Sequence, residues 1–262
     1  MKLEVILIND TGAVEFTDNY FDNSYTHKTF LADLKVKSKF PDIKFNIDLK
    51  MYDDNEFNSL NDIIHAPINF IVNDKVKSIL QKHNLPAHVF LPAKISRKEK
   101  SLIIKKTKTY EYNWFCFDCE HIENYYNYID FEKSKITFFK GKDIINMNVR
   151  NIADIYTIIQ ENYLLSDKIN AIYKDKSLND KQKSEKSLEF QTVSWVADSI
   201  TLNNKFPKDI DIFNLPLFSW MTFVSDKMKT SLINENISDI KFIETGTKSR
   251  LEGVRNPKII IE

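Results

Sequence analysis

Glycine is nearly missing from this chain of 262 residues: Gly12, Gly141, Gly246 and Gly253 are the only four. A dinucleotide-binding fingerprint needs three glycines within six residues, and a Walker-type phosphate loop needs two, five apart, before Lys-Ser/Thr. Neither spacing occurs, and the G-x-S-x-G of a hydrolase nucleophile elbow is missing too. Two cysteines, Cys116 and Cys119, are too few for a disulfide framework. No apolar run approaches the roughly 18 residues of a membrane span. The opening "MKLEVILINDTGAVEF" holds only a short apolar run before Asn9 and Asp10 end it, so no leader is expected. Net charge is lacking as well: 37 basic residues meet 37 acidic ones, which argues against a dedicated polyanion binder. The expectation is a cytoplasmic protein with no cofactor, no membrane contact and none of the common nucleotide or hydrolase sites.

What is present can build a core, since 42% of residues are hydrophobic and 13% aromatic. Short strands are expected at "KLEVILI" (2–8), "AVEFT" (13–17) and "IKFNIDLKMY" (43–52), with "NDTG" turning the first two into a hairpin. "SLIIKKTKTYEYNWFCFDC" (101–119) reads as a long strand, and residues 110–139 hold eleven aromatics, either the heart of a sheet or a binding face. "NIADIYTIIQENYLLSDKINAIY" (151–173) carries an apolar stripe at helical spacing. The charged "KDKSLNDKQKSEK" then leads to a second expected helix across "SLEFQTVSWVADSITL", and "KFPKDIDIFNLPLFSW" returns to extended chain. The fold class is α+β: a mostly antiparallel sheet, short capped helices, and a helical hairpin in the C-terminal half. A composition shift divides residues 1–148 from 149–262, either as two parts or packed as one domain.

One short stretch is written twice. Residues 72–90 and 224–242 align without gaps and agree at Val72/Val224, Asp74/Asp226, Lys75/Lys227, Lys77/Lys229, Leu80/Leu232, Asn84/Asn236 and Phe90/Phe242. Asn73 and Ser225 suit the N-cap of a helix, with Asp74 and Asp226 at its positive end. Val76 with Leu80, and Met228 with Leu232, form buried i,i+4 pairs. Asn84 and Asn236 fall where a left-handed residue would end each helix. An extended segment follows each copy, giving two helix–strand modules at 72–95 and 224–245. Their separation far exceeds a solenoid period.

This pattern, an S/N-x-K-Φ-K-x-x-L helix followed by a Phe-containing strand, resembles a module of immunity proteins from bacterial polymorphic-toxin systems. In that group the module lies near the C-terminus, as "FVSDKMKTSLINENISDIKFIE" does here. A second shared feature is an aromatic stretch leading to Asp-x-x-x-Ser, here "YYNYIDFEKSK" with Asp130 and Ser134. The resemblance spans 68–140 and 217–245. It implies a protein that neutralises a cognate toxin by binding, with no chemistry of its own.

Three further constellations compete with blander readings. "CFDCEH" offers Cys116, Cys119 and His121, half of a zinc site, but the other half would have to be recruited from scattered histidines. Positions 116 and 119 of a strand face opposite sides, so buried, reduced cysteines and no metal are expected. Residues 94–108 hold seven basic side chains against one Glu, a nucleic-acid footprint or a solvated hairpin tip. A nucleic-acid-binding module using this stripe is the alternative function, and an enzyme of another type stands third. The carboxylates near the aromatic segment suit the rim of a protein–protein interface. Trp114, Asp118, Glu120, Tyr125, Tyr126, Asp130 and Ser134 are therefore the candidate partner-binding residues, with core packing the competing role for the rings.

Overall fold

The computed structural model describes residues 3–8, 14–16, 47–51, 62–65, 70–100, 105–117, 124–215, 217–238, 240–246 and 256–262. In chain order, β1 is Leu3–Ile8, β2 Val14–Phe16, β3 Ile47–Met51, β4 Ile63–His65 and β5 Phe70–Val72. Helix α1 (Asp74–Leu80) leads to β6 (His88–Lys100), β7 (Lys105–Phe117), β8 (Ile129–Lys140) and β9 (Asp143–Ile145). Helices α2 (Ile152–Lys174) and α3 (Asp180–Ser187) precede β10 (Val193–Leu202), β11 (Ile212–Leu215) and β12 (Ser219–Ser225). Helix α4 (Asp226–Asn234), β13 (Ile240–Glu244) and β14 (Lys258–Ile261) complete the order. The fold is α+β with mostly antiparallel sheets.

Two compact units interleave in sequence. Unit 1 takes Met1–Tyr125, Pro207–Pro216 and Trp220–Glu244; unit 2 takes Tyr126–Phe206, Leu217–Ser219 and Thr245–Glu262. A cut near residue 148 would put the second helix–strand module with the helical hairpin. Long-range pairing overrides that cut, because β12 and β13 flank β1.

Unit 1 contains one sheet ordered β2-β3-β6-β7-β5-β4 and another ordered β11-β12-β1-β13. The expected β1–β2 hairpin does not form: β1 pairs with β12 and β13, and β2 pairs with β3. The near-continuous apolar run "LEVILI" suits a central strand covered by neighbours, whereas a lone two-stranded ribbon is marginal in water. Leu3 and Ile6 are accordingly buried.

Both repeated helices start where their caps place them. Asn73 Oδ1 accepts from the Val76 N–H at 3.0 Å, and Ser225 Oγ accepts from the Met228 N–H at 3.2 Å. Val76, Leu80, Met228 and Leu232 share one core cluster with Ile6, Phe115 and Ile212. The C-terminal ends differ. Asn236 takes the expected left-handed conformation, with φ of 50°. Helix α1 instead ends at Leu80, and the Asn84 amide donates to the Asp209 carboxylate at 2.8 Å. Asn73→Ala is expected to lower stability by about 1 kcal/mol through the lost cap. Ser225→Ala should cost about 2 kcal/mol, because the bond its hydroxyl donates to Asp211 at 2.6 Å is fully buried, whereas the matching bond from Asn73 to Asp62 is only part-buried. Urea midpoints of the two variants test both values.

Unit 2 is built on a sheet ordered β14-β10-β8-β9, with β10 antiparallel to β8 and parallel to β14. Gly141, at φ of 63°, occupies the first central position of the two-residue turn between β8 and β9, where glycine is favoured. Helix α2 opens on a reciprocal cap between Asn151 and Asp154, and α3 on one between Asn179 and Gln182. The second arm of the helical hairpin is therefore the charged stretch, and the segment expected to be helical, 187–202, is mostly strand β10. Its Val, Trp, Ile and Thr residues favour a pleated strand held between β8 and β14. Asn162 of α2 anchors that strand, accepting from the Val193 N–H at 2.8 Å and donating to its carbonyl at 2.6 Å.

Candidate functional site

The structure removes the aromatic rings from the nominated partner face. Trp114, Tyr125 and Tyr126 are all buried. Trp114 lies in β7 between Ile71 and Leu91 of the neighbouring strands. Tyr125 stacks on Phe213, their ring centres 5.9 Å apart. The Tyr126 hydroxyl accepts from the Leu217 N–H at 3.2 Å, while Trp195 Nε1 donates to the Leu217 carbonyl at 2.7 Å. Aromatic density marked the core here, because large apolar surface is buried first. Asp118 and Glu120, with Cys119 and His121, lie outside the described residues. Cys116 is buried, and no group of three or more His, Cys, Asp or Glu is placed to hold a metal among the described residues.

Asp130 and Ser134 have a local structural job. Along β10 the pairing moves from Ser199 opposite Lys135 to Thr201 opposite Asp130, so β8 must fold three extra residues into a bulge. Ser134 Oγ donates to the Asp130 carbonyl at 2.7 Å and accepts from the Thr201 N–H at 2.9 Å. Asp130 Oδ1 accepts from the Lys133 N–H at 3.1 Å. The Asp-x-x-x-Ser spacing thus closes the bulge.

The internal likeness extends well past the helices. Strand orders β4-β5-β7-β6 and β11-β12-β1-β13 correspond one to one. Val72 lies opposite Asn113 as Val224 lies opposite Glu4, and Phe90 opposite Phe115 as Phe242 opposite Ile6. Lys77 Nζ lies over the Phe90 ring and donates to Asn113 Oδ1 at 2.8 Å. Lys229 Nζ lies over the Phe242 ring and donates to Glu4 Oε2 at 2.6 Å. In each copy the second lysine of the motif lays its stem along the following strand and delivers its charge to the central one. The first module takes that central strand from β7, whereas the second takes it from β1, as in a circular permutation.

An aspartate stands before each module, in "DIIHAP" (62–67) and "DIFNLP" (211–216). The Asp62 carbonyl accepts from the Asn73 N–H at 3.1 Å, and the Asp211 carbonyl from the Ser225 N–H at 3.0 Å. Their carboxylates hold the same cap side chains. Each then reaches across: Asp62 Oδ2 accepts from the Ser238 N–H at 3.0 Å, past the end of α4, and Asp211 Oδ2 from the Asn84 N–H at 3.0 Å, past the end of α1. The modules are clasped by exchanged carboxylates. The signal was in the sequence, but the interval from proline to cap differs by three residues between copies, so a gapless alignment misses it. Burial, then the Asp62 charge and Tyr110, push the nearby Tyr112 phenol up to about 12.

The Asp211 side of the clasp has the connectivity of a hydrolase relay. His83 Nδ1 is 3.0 Å from Asp211 Oδ2, and His83 Nε2 is 2.9 Å from Ser231 Oγ. Two features argue against nucleophilic chemistry. Ser231 sits inside α4, where its own N–H belongs to the helix ladder and cannot serve an oxyanion. Asp211 Oδ2 is also shared with Lys227 Nζ at 3.2 Å, which disperses the charge that would stabilise an imidazolium. The buried His83–Asp211 pair acts as packing between α1 and α4.

Exposed large apolar side chains are concentrated in unit 2. Of those among the described residues, Ile233 alone belongs to unit 1. The helical hairpin presents Tyr163 (66% exposed), Leu164 (64%) and Leu188 (66%), while only Ile155 and Ile158 of α2 are buried. Glu161 and Asp167 lie one turn from Leu164 and Tyr163 on the same helix. Apolar anchors beside acids make this hairpin the strongest candidate for a partner surface. No helix among the described residues is long and apolar enough to cross a membrane. The chain matches no family model, no curated protein and no solved structure.

Proposed function

We propose that this chain is an immunity-type protein that acts in the cytoplasm by capturing a cognate bacterial toxin domain, without catalysis. The observation that carries the reading is the doubled capped-helix and strand module, whose S/N-x-K-Φ-K-x-x-L pattern resembles that of immunity proteins. Its motif residues are occupied within unit 1 by caps, core packing and the two lysine contacts. The module is therefore scaffold, and capture belongs to a different surface. The helical hairpin of unit 2 fits that task, with Tyr163, Leu164 and Leu188 as anchors and Glu161 and Asp167 to speed encounter with a basic toxin surface.

Protection requires little free toxin, hence a nanomolar complex of about −12 kcal/mol, which a well-anchored interface of roughly 1,600 Å² can reach. Co-expression with the toxin domain encoded beside this gene tests the reading by cell survival. Tyr163→Ala with Leu164→Glu is expected to abolish protection while the unfolding midpoint stays near wild type. Unchanged protection would remove the hairpin as the binding face, and the absence of a complex with any neighbouring toxin would remove the function.

A further inference from the structure

We propose that β14 is a self-complementary edge through which unit 2 docks on a second copy of this chain, the two β14 strands pairing antiparallel about Ile260. Among the described strands β14 has a neighbour on one side only, β10, to which it runs parallel. One bond fixes which backbone groups face the other way: the Glu262 N–H donates to the Leu202 carbonyl at 3.1 Å. Alternate residues of a strand turn their N–H and C=O to the same side, so Lys258, Ile260 and Glu262 serve β10. Ile259 and Ile261 therefore present their backbone groups to the open edge, two donors and two acceptors suited to a further strand.

The side chains say which strand fits. Residues 258–262 read Lys-Ile-Ile-Ile-Glu. Reversed and centred on Ile260, a second copy sets its Glu262 opposite Lys258 and its Ile261 opposite Ile259. In this register the 259–261 pairs are the hydrogen-bonded ones, so every outward backbone group finds a partner. The 258–262 and 260–260 pairs are then the non-hydrogen-bonded ones, whose side chains approach more closely. Lys258 is exposed and enters none of the ion pairs among the described residues. Glu262 gives Oε1 to Lys133 at 2.5 Å, which leaves its other oxygen for the lysine of the second copy. Ile260, 40% exposed, meets its own counterpart on the two-fold axis. A copy laid parallel in register would set Lys258 against Lys258 and Glu262 against Glu262, so the charges select the antiparallel arrangement. The product is a continuous sheet ordered β9-β8-β10-β14-β14-β10-β8-β9. The contact is small, so a weak dimer with Kd of about 10–100 μM is expected. It uses neither Tyr163 nor Leu164 and stands apart from toxin capture.

Sedimentation velocity of the full chain over concentrations of roughly 1–300 μM tests the proposal, with a shift from monomer to dimer expected across that range. Lys258→Glu and Glu262→Lys each place like charges at both ends of the ladder, and each alone should weaken the dimer at least about tenfold. An equimolar mixture of the two variants pairs opposite charges again at both ends, so the dimer should return in the mixture. A folding defect cannot produce that recovery. Ile260→Glu sets two carboxylates face to face on the axis and should abolish the dimer, with a thermal midpoint near that of wild type. A monomer at every concentration would overturn the proposal. So would a dimer indifferent to Lys258→Glu and Ile260→Glu, which would assign self-association to another face such as the helical hairpin. Failure to recover the dimer on mixing would overturn the antiparallel register, and with it the proposal.

Discussion

Asp211→Ala is expected to lower the stability of unit 1 by about 3–5 kcal/mol, the loss typical when one partner of a buried ionic and hydrogen-bonded set is removed. The carboxylate serves the Ser225 hydroxyl, the Asn84 N–H, His83 and Lys227 together, and its side chain is almost wholly buried. Removing it leaves the Ser225 hydroxyl and the Asn84 N–H without an acceptor beside the α4 cap. Burial alone would raise the Asp211 carboxyl, but those donors outweigh it and hold it below its ordinary value of 3.8. A value lower in the folded state means that the contribution is complete above about pH 4 and fades as pH falls through the folded-state value. Urea midpoints of wild type and Asp211→Asn should accordingly differ most at neutral pH and converge below about pH 4. Parallel curves down to strongly acidic conditions would show that the clasp does not depend on this charge.

Deleting residues 1–8 should have the largest effect of all, loss of cooperative unfolding from unit 1. Strand β1 is the middle of β12-β1-β13, so both neighbours lose their ladder at once. Leu3 and Ile6 leave the core, at about 2–5 kcal/mol each by analogy with large-to-small core substitutions, against a total margin of about 5–15 kcal/mol. Lys229 also loses Glu4, the acceptor its stem is bent towards. Hydrogen exchange with mass spectrometry would locate the damage. Protection should vanish across 219–244 in the truncated chain, and retained protection there would contradict the central placement of β1.

Local signals were the legible part of this fold. Asn73 and Ser225 could be named as caps because a cap needs only the two or three residues that follow it. The Val76/Leu80 and Met228/Leu232 stripes were readable for the same reason. Non-local pairing was not. "KLEVILI" announces a strand without saying that its partners lie more than 200 residues away, so the nearest turn signal points to a hairpin that does not form. The helix expected over 187–202 failed where Val193, Val196 and Ile200 offered a helical spacing that β-branched chemistry and the neighbouring strands overrode. Trp114, Tyr125 and Tyr126 failed differently: a sequence records how aromatic a segment is, and only packing decides which side of the surface its rings occupy. The Asp-x-x-x-Ser spacing was visible, but its role depends on the Thr201 N–H of another strand. The clasp made by Asp62 and Asp211 needed a gapped comparison, since the hairpins they precede differ in length.

The placement of β1 also sets a timetable. Leu3 pairs with Ser225, and Ile8 with Ile240, so β1 is synthesised long before the strands it pairs with. At roughly 5–20 residues per second, it leaves the ribosome some ten to forty-five seconds before its neighbours exist. The first module has no such wait, because β4 through β7 arrive within one continuous stretch and can close on one another. Through that interval an apolar strand with two open edges is exposed to every other unfinished chain nearby, the state from which sheets are mispaired and aggregates begin. Yield in rapid overexpression should therefore be governed by how long β1 waits, and slower synthesis or a holding chaperone should raise it more than any stabilisation of the finished fold.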